Sequence, residues 1–382
     1  MIVYLIPLVI TLFSVVRFDF SSRNGDGKPV WIFLYIYVVL LMGLRFRVGL
    51  DTLNYMDFYD SLPSLSALWR GNSWPEYVQY TGYQPFYLLL CATARSINTD
   101  FAVLQLLHAI ILNAIVFTFI KRKARYKFFA LLFYFFVYFL YFNTEIIRES
   151  LAIGIFLINL DNLLKRKWIR YYVLSVLSIL FHISAVILLI FPLLRSIKFN
   201  FKFLILLGIC ISAFIIAKNK IANGTFVLYF DVLNRKVDAY EADNGTHNFN
   251  YTIYQLVYIL LIPMLAFMYD RYYLRKLPQF EFIICMTILL GSGAMIYPLV
   301  FSRFNNYLLP ITILYIADTF AAIYQQKTIN SRLTFYSLCL FCIICYGYRY
   351  ENTYKQWIPY THILNPKVIP EREVIRDIRF NR

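Results

Sequence analysis

Apolar runs of about 15–20 residues recur from one end of this chain to the other, close to the roughly 20 that a helix needs to cross a bilayer. Inside lipid each backbone N–H and C=O must find a partner within its own segment or a closed barrel. Barrel strands alternate polar and apolar residues, and runs such as 128–142 do not. The expected fold is therefore an all-α polytopic membrane protein. Composition agrees: 60% of residues are hydrophobic, 15% are charged, and mean hydropathy is +0.60, where a soluble domain carries about a quarter charged residues.

The net charge of +16 does not imply nucleic acid as a partner. The basic residues cluster in short loops between apolar runs, above all Lys121–Lys127 and Lys165–Arg170, as cytoplasmic loops do under the positive-inside rule. Candidate spans are 1–16, 29–44, 101–120, 128–142, 146–164, 171–194, 203–217, 251–269, 279–300, 307–325 and 333–348. Placing the basic loops inside puts the N-terminus outside and makes 84–97 an interfacial or re-entrant helix. The opposite N-terminal orientation, with 84–97 crossing, satisfies the same loops. The run 171–194 holds Phe181-His182-Ile183-Ser184 near its middle, and the later loops come out inside if it dips in and returns. The chain reads as a single integral membrane domain, 1–382, with outer-face loops at 45–83 and 218–250 and an outer tail at 349–382. Met1 is followed by no basic stretch and no small-residue cleavage site, so no cleavable signal is expected.

Several chemistries lack their motifs. There is no P-loop, no G-x-S-x-G elbow and no HExxH pattern. The four histidines are scattered, and the six cysteines all lie in apolar runs. They read as small buried hydrophobes; no disulfide, metal site or cofactor is expected.

Polar residues at the ends of the apolar runs carry the functional signal. Gly43-Leu-Arg-Phe-Arg-Val-Gly-Leu-Asp-Thr-Leu-Asn-Tyr55 sets Arg45, Arg47 and Asp51 at a membrane surface. Asn143-Thr-Glu145-Ile-Ile-Arg148-Glu149 joins two apolar runs, and a charge at such depth costs at least ~2.5–3.5 kcal/mol. His182 and Ser302-Arg303-Phe304-Asn305-Asn306 complete the set. Each has a plain structural reading: a Glu145–Arg148 pair three residues apart at a helix end, a packed histidine, an interfacial anchor, a solvated Asp51/Asp57/Asp60 face. Their agreement on one side of the membrane is what favours a site.

These segments resemble the EpsG family of membrane proteins, Wzy-type polymerases of exopolysaccharide and O-antigen repeat units. The likeness rests on Gly43-Leu-Arg45 followed by Val48-Gly49-x-Asp51-Thr52-x-Asn54-Tyr55, on Asn143 with Ile147-Arg148 and Leu151-Ala152, on Phe181-His182-x-Ser184-Ala185, and on Trp357-Ile-Pro359-Tyr360. Glu149 stands where the family often has Gln, which argues against it as a base. The resemblance implies a GT-C-like integral membrane glycosyltransferase with about 11–13 transmembrane or re-entrant helices. It implies transfer of a growing glycan from polyprenyl diphosphate to a hydroxyl of an incoming lipid-linked unit, at the outer face of the bacterial cytoplasmic membrane. Donor and acceptor glycolipids and the bilayer would be its partners, with a chain-length regulator as a further one. Arginine suits the leaving diphosphate because its fork binds two oxygens and stays protonated; Arg45, Arg47, Arg148 and Arg303 are the candidates. Asp51, His182 and Glu145 are the candidate bases. Trp69, Trp74 and Tyr83 could stack on sugars. A flippase, an O-antigen ligase or an acyltransferase of the same architecture are the rival readings.

Overall fold

A computed structural model describes residues 2–21, 25–70, 74–222, 257, 261–271, 281–294 and 298–380. It is all-α: apart from isolated bridges at Arg45–His362 and His362–Asn365, no extended pairing occurs among the described residues. The contacts divide the chain into two compact units, Met1–Leu189 with Leu340–Ile378, and Ile190–Cys339 with Arg379–Arg382.

In the first unit, α1 (Ile2–Ser14) runs on through a π-helical turn to Asp19, and α2 (Lys28–Gly43) follows. α3 (Leu50–Ser61), α4 (Leu65–Arg70), α5 (Trp74–Thr81) and α6 (Pro85–Ile97) come next. The expected outer loop 45–83 is thus largely helical. The first turn of α6 meets Leu180 through the Phe86 N–H (3.0 Å), and its last turn grips α3 through Arg95 on the Tyr59 carbonyl (2.8 Å). α3 to α6 form a cap around an aromatic core of Tyr55, Tyr59 and Tyr87.

α7 (Phe101–Lys123) is the central span and lies against α2, α6 and α10. Asp100 caps its start, accepting the Ala102 N–H at 2.8 Å. Gly43 lets α2 come close to it, since a Cβ there would stand 3.1 Å from the Leu106 Cα. The expected span 128–142 is broken into α8 (Lys127–Val137) and α9 (Phe139–Thr144), because Tyr138 leaves helical geometry. α10 (Ile147–Leu164) and α11 (Trp168–Ile179) pack side by side. The helix then stops, and a 3-10 segment, Ile183–Leu189, doubles back along α11. The Tyr171 hydroxyl accordingly reaches the Leu188 carbonyl (2.7 Å). Irregular backbone at membrane depth is tolerated only inside protein or against a cavity.

The basic loops gather at one end of this unit. Lys127 pairs with Asp26, Lys123 and Arg122 pair with Asp161, and Asp19 accepts the Phe129 N–H at 2.8 Å. α2 and α11 run away from that end, and α7 and α10 run toward it. Arg45, Arg148 and the His182 turn therefore share the opposite end.

The second unit holds α12 (Phe191–Leu194), α13 (Phe201–Ala222) and the helices Ile262–Tyr269, Glu281–Ala294, Pro298–Asn306 and Leu309–Tyr324. Of the expected span 279–300, residues 281–294 form one helix and 298–300 open the next, with 279–280 and 295–297 outside the described residues; Val300–Asn306 meets Leu309–Tyr324 at a 56° bend. Thr287 and Thr312 share a hydrogen bond (2.9 Å), and the Tyr315 hydroxyl donates to Asp270 (3.1 Å). Of the expected loop 218–250, residues 218–222 end α13 and the rest lies outside the described residues, as does most of 251–261. The helix Ile329–Thr353 starts in this unit and finishes in the first.

Among the described residues, two helices are individually long and apolar enough to cross a membrane, Ile2–Asp19 and Phe101–Lys123, or three if the bent pair counts as one span. Shorter apolar helices such as Lys28–Gly43 and Glu281–Ala294 accompany them. Several of the continuous runs expected from hydropathy are interrupted, and two interruptions in the first unit fall at Glu145-Ile146 and at Leu180–His182.

Candidate active site

Of the expected tail 349–382, residues 349–353 finish the helix Ile329–Thr353 and 354–380 form a strap. Beyond Thr353 the chain runs beside the Leu44–Gly49 loop, so the first and last motifs are backbone partners. The Phe46 N–H donates to the Thr361 carbonyl (2.8 Å), Ile363 N–H to Leu44 (3.0 Å), and Gly49 N–H to Gln356 (2.9 Å). A C-terminal helix, Pro370–Phe380, then lies over α3. Its Arg372 binds the Arg47 and Pro359 carbonyls, its Glu373 accepts from the Arg47 guanidinium (2.7 Å), and its Arg376 pairs with Asp57 (3.1 Å).

Two candidate arginines are committed to this scaffold. Arg45 is fully buried, at 0% exposure. Its guanidinium donates to the Met42 carbonyl and the Thr52 hydroxyl, and its own carbonyl accepts from Gln105 (3.0 Å). Burial pulls its pKa down to about 10, so it stays charged at neutral pH. Arg47 stands in left-handed backbone (φ 51) and is matched by Glu373, whose hydrogen bond raises its pKa.

Arg148 is different. The Glu145–Arg148 pair of the plain structural reading does not form, because Ile146 (φ −116, ψ 46) separates α9 from α10 and the two residues share no helix face. Arg148 instead lies 4.0 Å from the centroid of the Tyr83 ring, with the Tyr55 and Tyr87 rings at 5.9 and 5.8 Å. No carboxylate pairs with it among the described residues, and its buried Nε has no hydrogen-bond partner. A guanidinium held by its face keeps its N–H edges available for a planar anion. Asp51 is one turn from Tyr55 on α3 and near enough to act on both rings. Burial raises the Tyr83 pKa, against the pull of Arg148. Tyr83→Phe keeps the ring and is expected to retain activity. Tyr83→Leu forfeits a cation–π contact of about 1–2 kcal/mol and is expected to lower the thermal unfolding midpoint of the solubilised protein, where Tyr83→Phe leaves it near native.

Glu145 is 5% exposed and turned toward α3, accepting the Asp51 N–H (3.1 Å) and the Thr144 hydroxyl (3.0 Å). His182 sits in the turn after α11, its Nδ1 accepting the Ser184 N–H (3.3 Å) and meeting the Ser184 hydroxyl (2.6 Å). The neighbouring Phe181 packs into the cap core beside Ile147 and Tyr87. The same end of the unit thus holds Asp51, Glu145, Arg148 and His182. Arg303 is half-buried on Pro298–Asn306, in the second unit. Trp69 is 82% exposed on α4, while Trp74 is packed against the cap core.

Buried polar residues on α7 belong to no motif and go unmarked in the sequence reading. Gln105, His108 and Asn113 are buried there and reach the Arg45 carbonyl, Ser150 (2.9 Å) and Asn143 (2.9 Å). Isolated polar residues within so apolar a span are the signal that marks them.

Helices broken at polar motifs, with a stacked arginine at one end of the first unit, define a polytopic membrane protein. A model of the EpsG family matches residues 28–362, and the chain belongs to that family. No curated protein and no solved structure matches it. Membership supports a role of the polysaccharide-polymerase type.

Proposed function

We propose that this protein polymerises polyprenyl-diphosphate-linked oligosaccharide repeat units at the outer face of the cytoplasmic membrane. The observation that carries the reading is Arg148, half-buried, stacked on Tyr83 and unmatched by any carboxylate among the described residues. A hydroxyl of the acceptor unit attacks the anomeric carbon of the donor glycan. The new C–O bond forms as the bond to the diphosphate oxygen breaks, and the hydroxyl proton passes to a base. Arg148 takes the charge that develops on the departing diphosphate, commonly the largest catalytic term in a partly dry site. Asp51, one turn from Tyr55, is the base we favour, and His182 in the adjoining turn is the alternative. Arg45 and Arg47 shape the loop that carries Asp51.

The outer-face assignment follows from the basic loops at the opposite end of the first unit, which the positive-inside rule assigns to the cytoplasm. The test is reconstitution. Purified protein in liposomes with one lipid-linked repeat unit is expected to give a ladder of longer glycans and free polyprenyl diphosphate. Movement of the unit across the bilayer without elongation would favour the flippase reading. Transfer only to a different acceptor would favour the ligase.

A further inference from the structure

We infer that Glu145 is a positioning residue, which fixes Asp51 and the start of α3 relative to Arg148. The helix α3 begins at Gly49, whose lack of a side chain leaves the first-turn N–H groups without the local cap that Ser, Thr, Asp or Asn would provide. A carboxylate from elsewhere in the chain supplies it. Glu145 Oε2 accepts the N–H of Asp51, the second residue of the helix, at 3.1 Å, and its charge lies at the positive end of the helix dipole. The other oxygen, Oε1, accepts from the Thr144 hydroxyl at 3.0 Å.

The surroundings fix this geometry from several directions. The Thr52 hydroxyl donates to the Thr144 carbonyl (2.8 Å), and the Trp357 indole N–H donates to the Thr144 hydroxyl (2.8 Å). A Cβ on Gly49 would stand 2.8 Å from Glu145 Oε1. Glu145 closes the chain segment between α9 and α10, and Arg148 follows on the first turn of α10. One carboxylate therefore joins the helix that bears Asp51 and Tyr55 to the helix that bears Arg148. Oε2 is thereby committed to the Asp51 N–H, which makes holding the start of α3 the first role of this carboxylate.

The catalytic part of this inference rests on the reading of Asp51 and Arg148 given above; the capping part does not, and two measurements separate them. Hydrogen–deuterium exchange on the full-length protein in nanodiscs should show faster exchange at the first-turn amides of α3 in Glu145→Ala, with little change in Glu145→Gln or Arg148→Ala. Unchanged exchange in the alanine variant overturns the cap. In reconstituted polymerisation, Glu145→Gln, whose amide oxygen still accepts the Asp51 N–H, is expected to keep most of the native kcat. Glu145→Ala should lose about 10²-fold, the scale of a misplacement near 1 Å, with KM little changed. A glutamine variant that falls about 10²–10⁴-fold would identify Glu145 as the base and overturn the inference. That variant alone decides the matter if the alanine protein fails to reach the membrane. If the native protein makes no polymer, the polymerase reading fails while the exchange result still judges the cap.

Discussion

Replacing Arg148 with alanine is expected to abolish long glycan chains while membrane levels of the protein stay near normal. The residue makes no ion pair among the described residues, so its loss leaves no buried acid stranded. What disappears on the protein side is stacking on Tyr83, about 1–2 kcal/mol, together with the longer contacts to the Tyr55 and Tyr87 rings, set against a typical stability of about 5–15 kcal/mol. Removing one preorganised group that stabilises developing charge costs about 10²–10³-fold in kcat, enough to leave single or very short repeats on the lipid carrier. Arg148→Lys keeps the charge but loses both the planar stack and the two-pronged grip proposed for the diphosphate, so it should resemble alanine more than the native protein. Immunoblotting of membranes beside a chain-length gel checks both halves. Full-length chains from Arg148→Ala would remove this residue from the reaction.

Gly49→Ala is expected to damage folding and activity together, although it adds one methyl group. Gly49 has φ +96, and its Cβ would lie 2.7 Å from Thr144 Cβ and 2.8 Å from Glu145 Oε1. The backbone strain alone is worth about 1–3 kcal/mol, and relieving the overlap means pushing away the segment that caps α3. The contrast with Gly82 sharpens the test. Gly82 is also at positive φ (+63), but nothing lies within 4 Å of its Cβ position. Gly82→Ala carries the backbone strain alone and should cost clearly less. Thermal unfolding of the detergent-solubilised proteins, with glycan output measured in parallel, checks the order. Equal behaviour of the two variants would mean that the Thr144–Glu145 wall is not rigid.

The all-α membrane fold and the motif ends are legible in the sequence because bilayer thickness and the cost of buried charge act on short stretches. Arg148 is found that way, from one charge beside apolar runs. Its surroundings are not. Tyr83 is one of 33 tyrosines, and only the folding of α3 to α6 into a cap brings its ring under the guanidinium. Glu145 and Arg148 look like a pair because a spacing of three implies a shared helix face, yet the chain leaves helical geometry at Ile146. Arg45 reads as a surface arginine because the strap that encloses its loop lies at the other end of the chain. Helix breaks at Tyr138 and within 180–182 are likewise hidden in hydropathy, which registers an apolar stretch whether or not its backbone stays helical.

The strap couples biosynthesis to competence. Leu44, Phe46 and Gly49 leave the ribosome early, but their backbone partners Ile363, Thr361 and Gln356 emerge only after the last long helix has been made. A nascent chain can insert most of its hydrophobic segments while the loop bearing Asp51 still lacks its neighbours. The loop that carries Asp51 is therefore completed only when the chain is nearly whole.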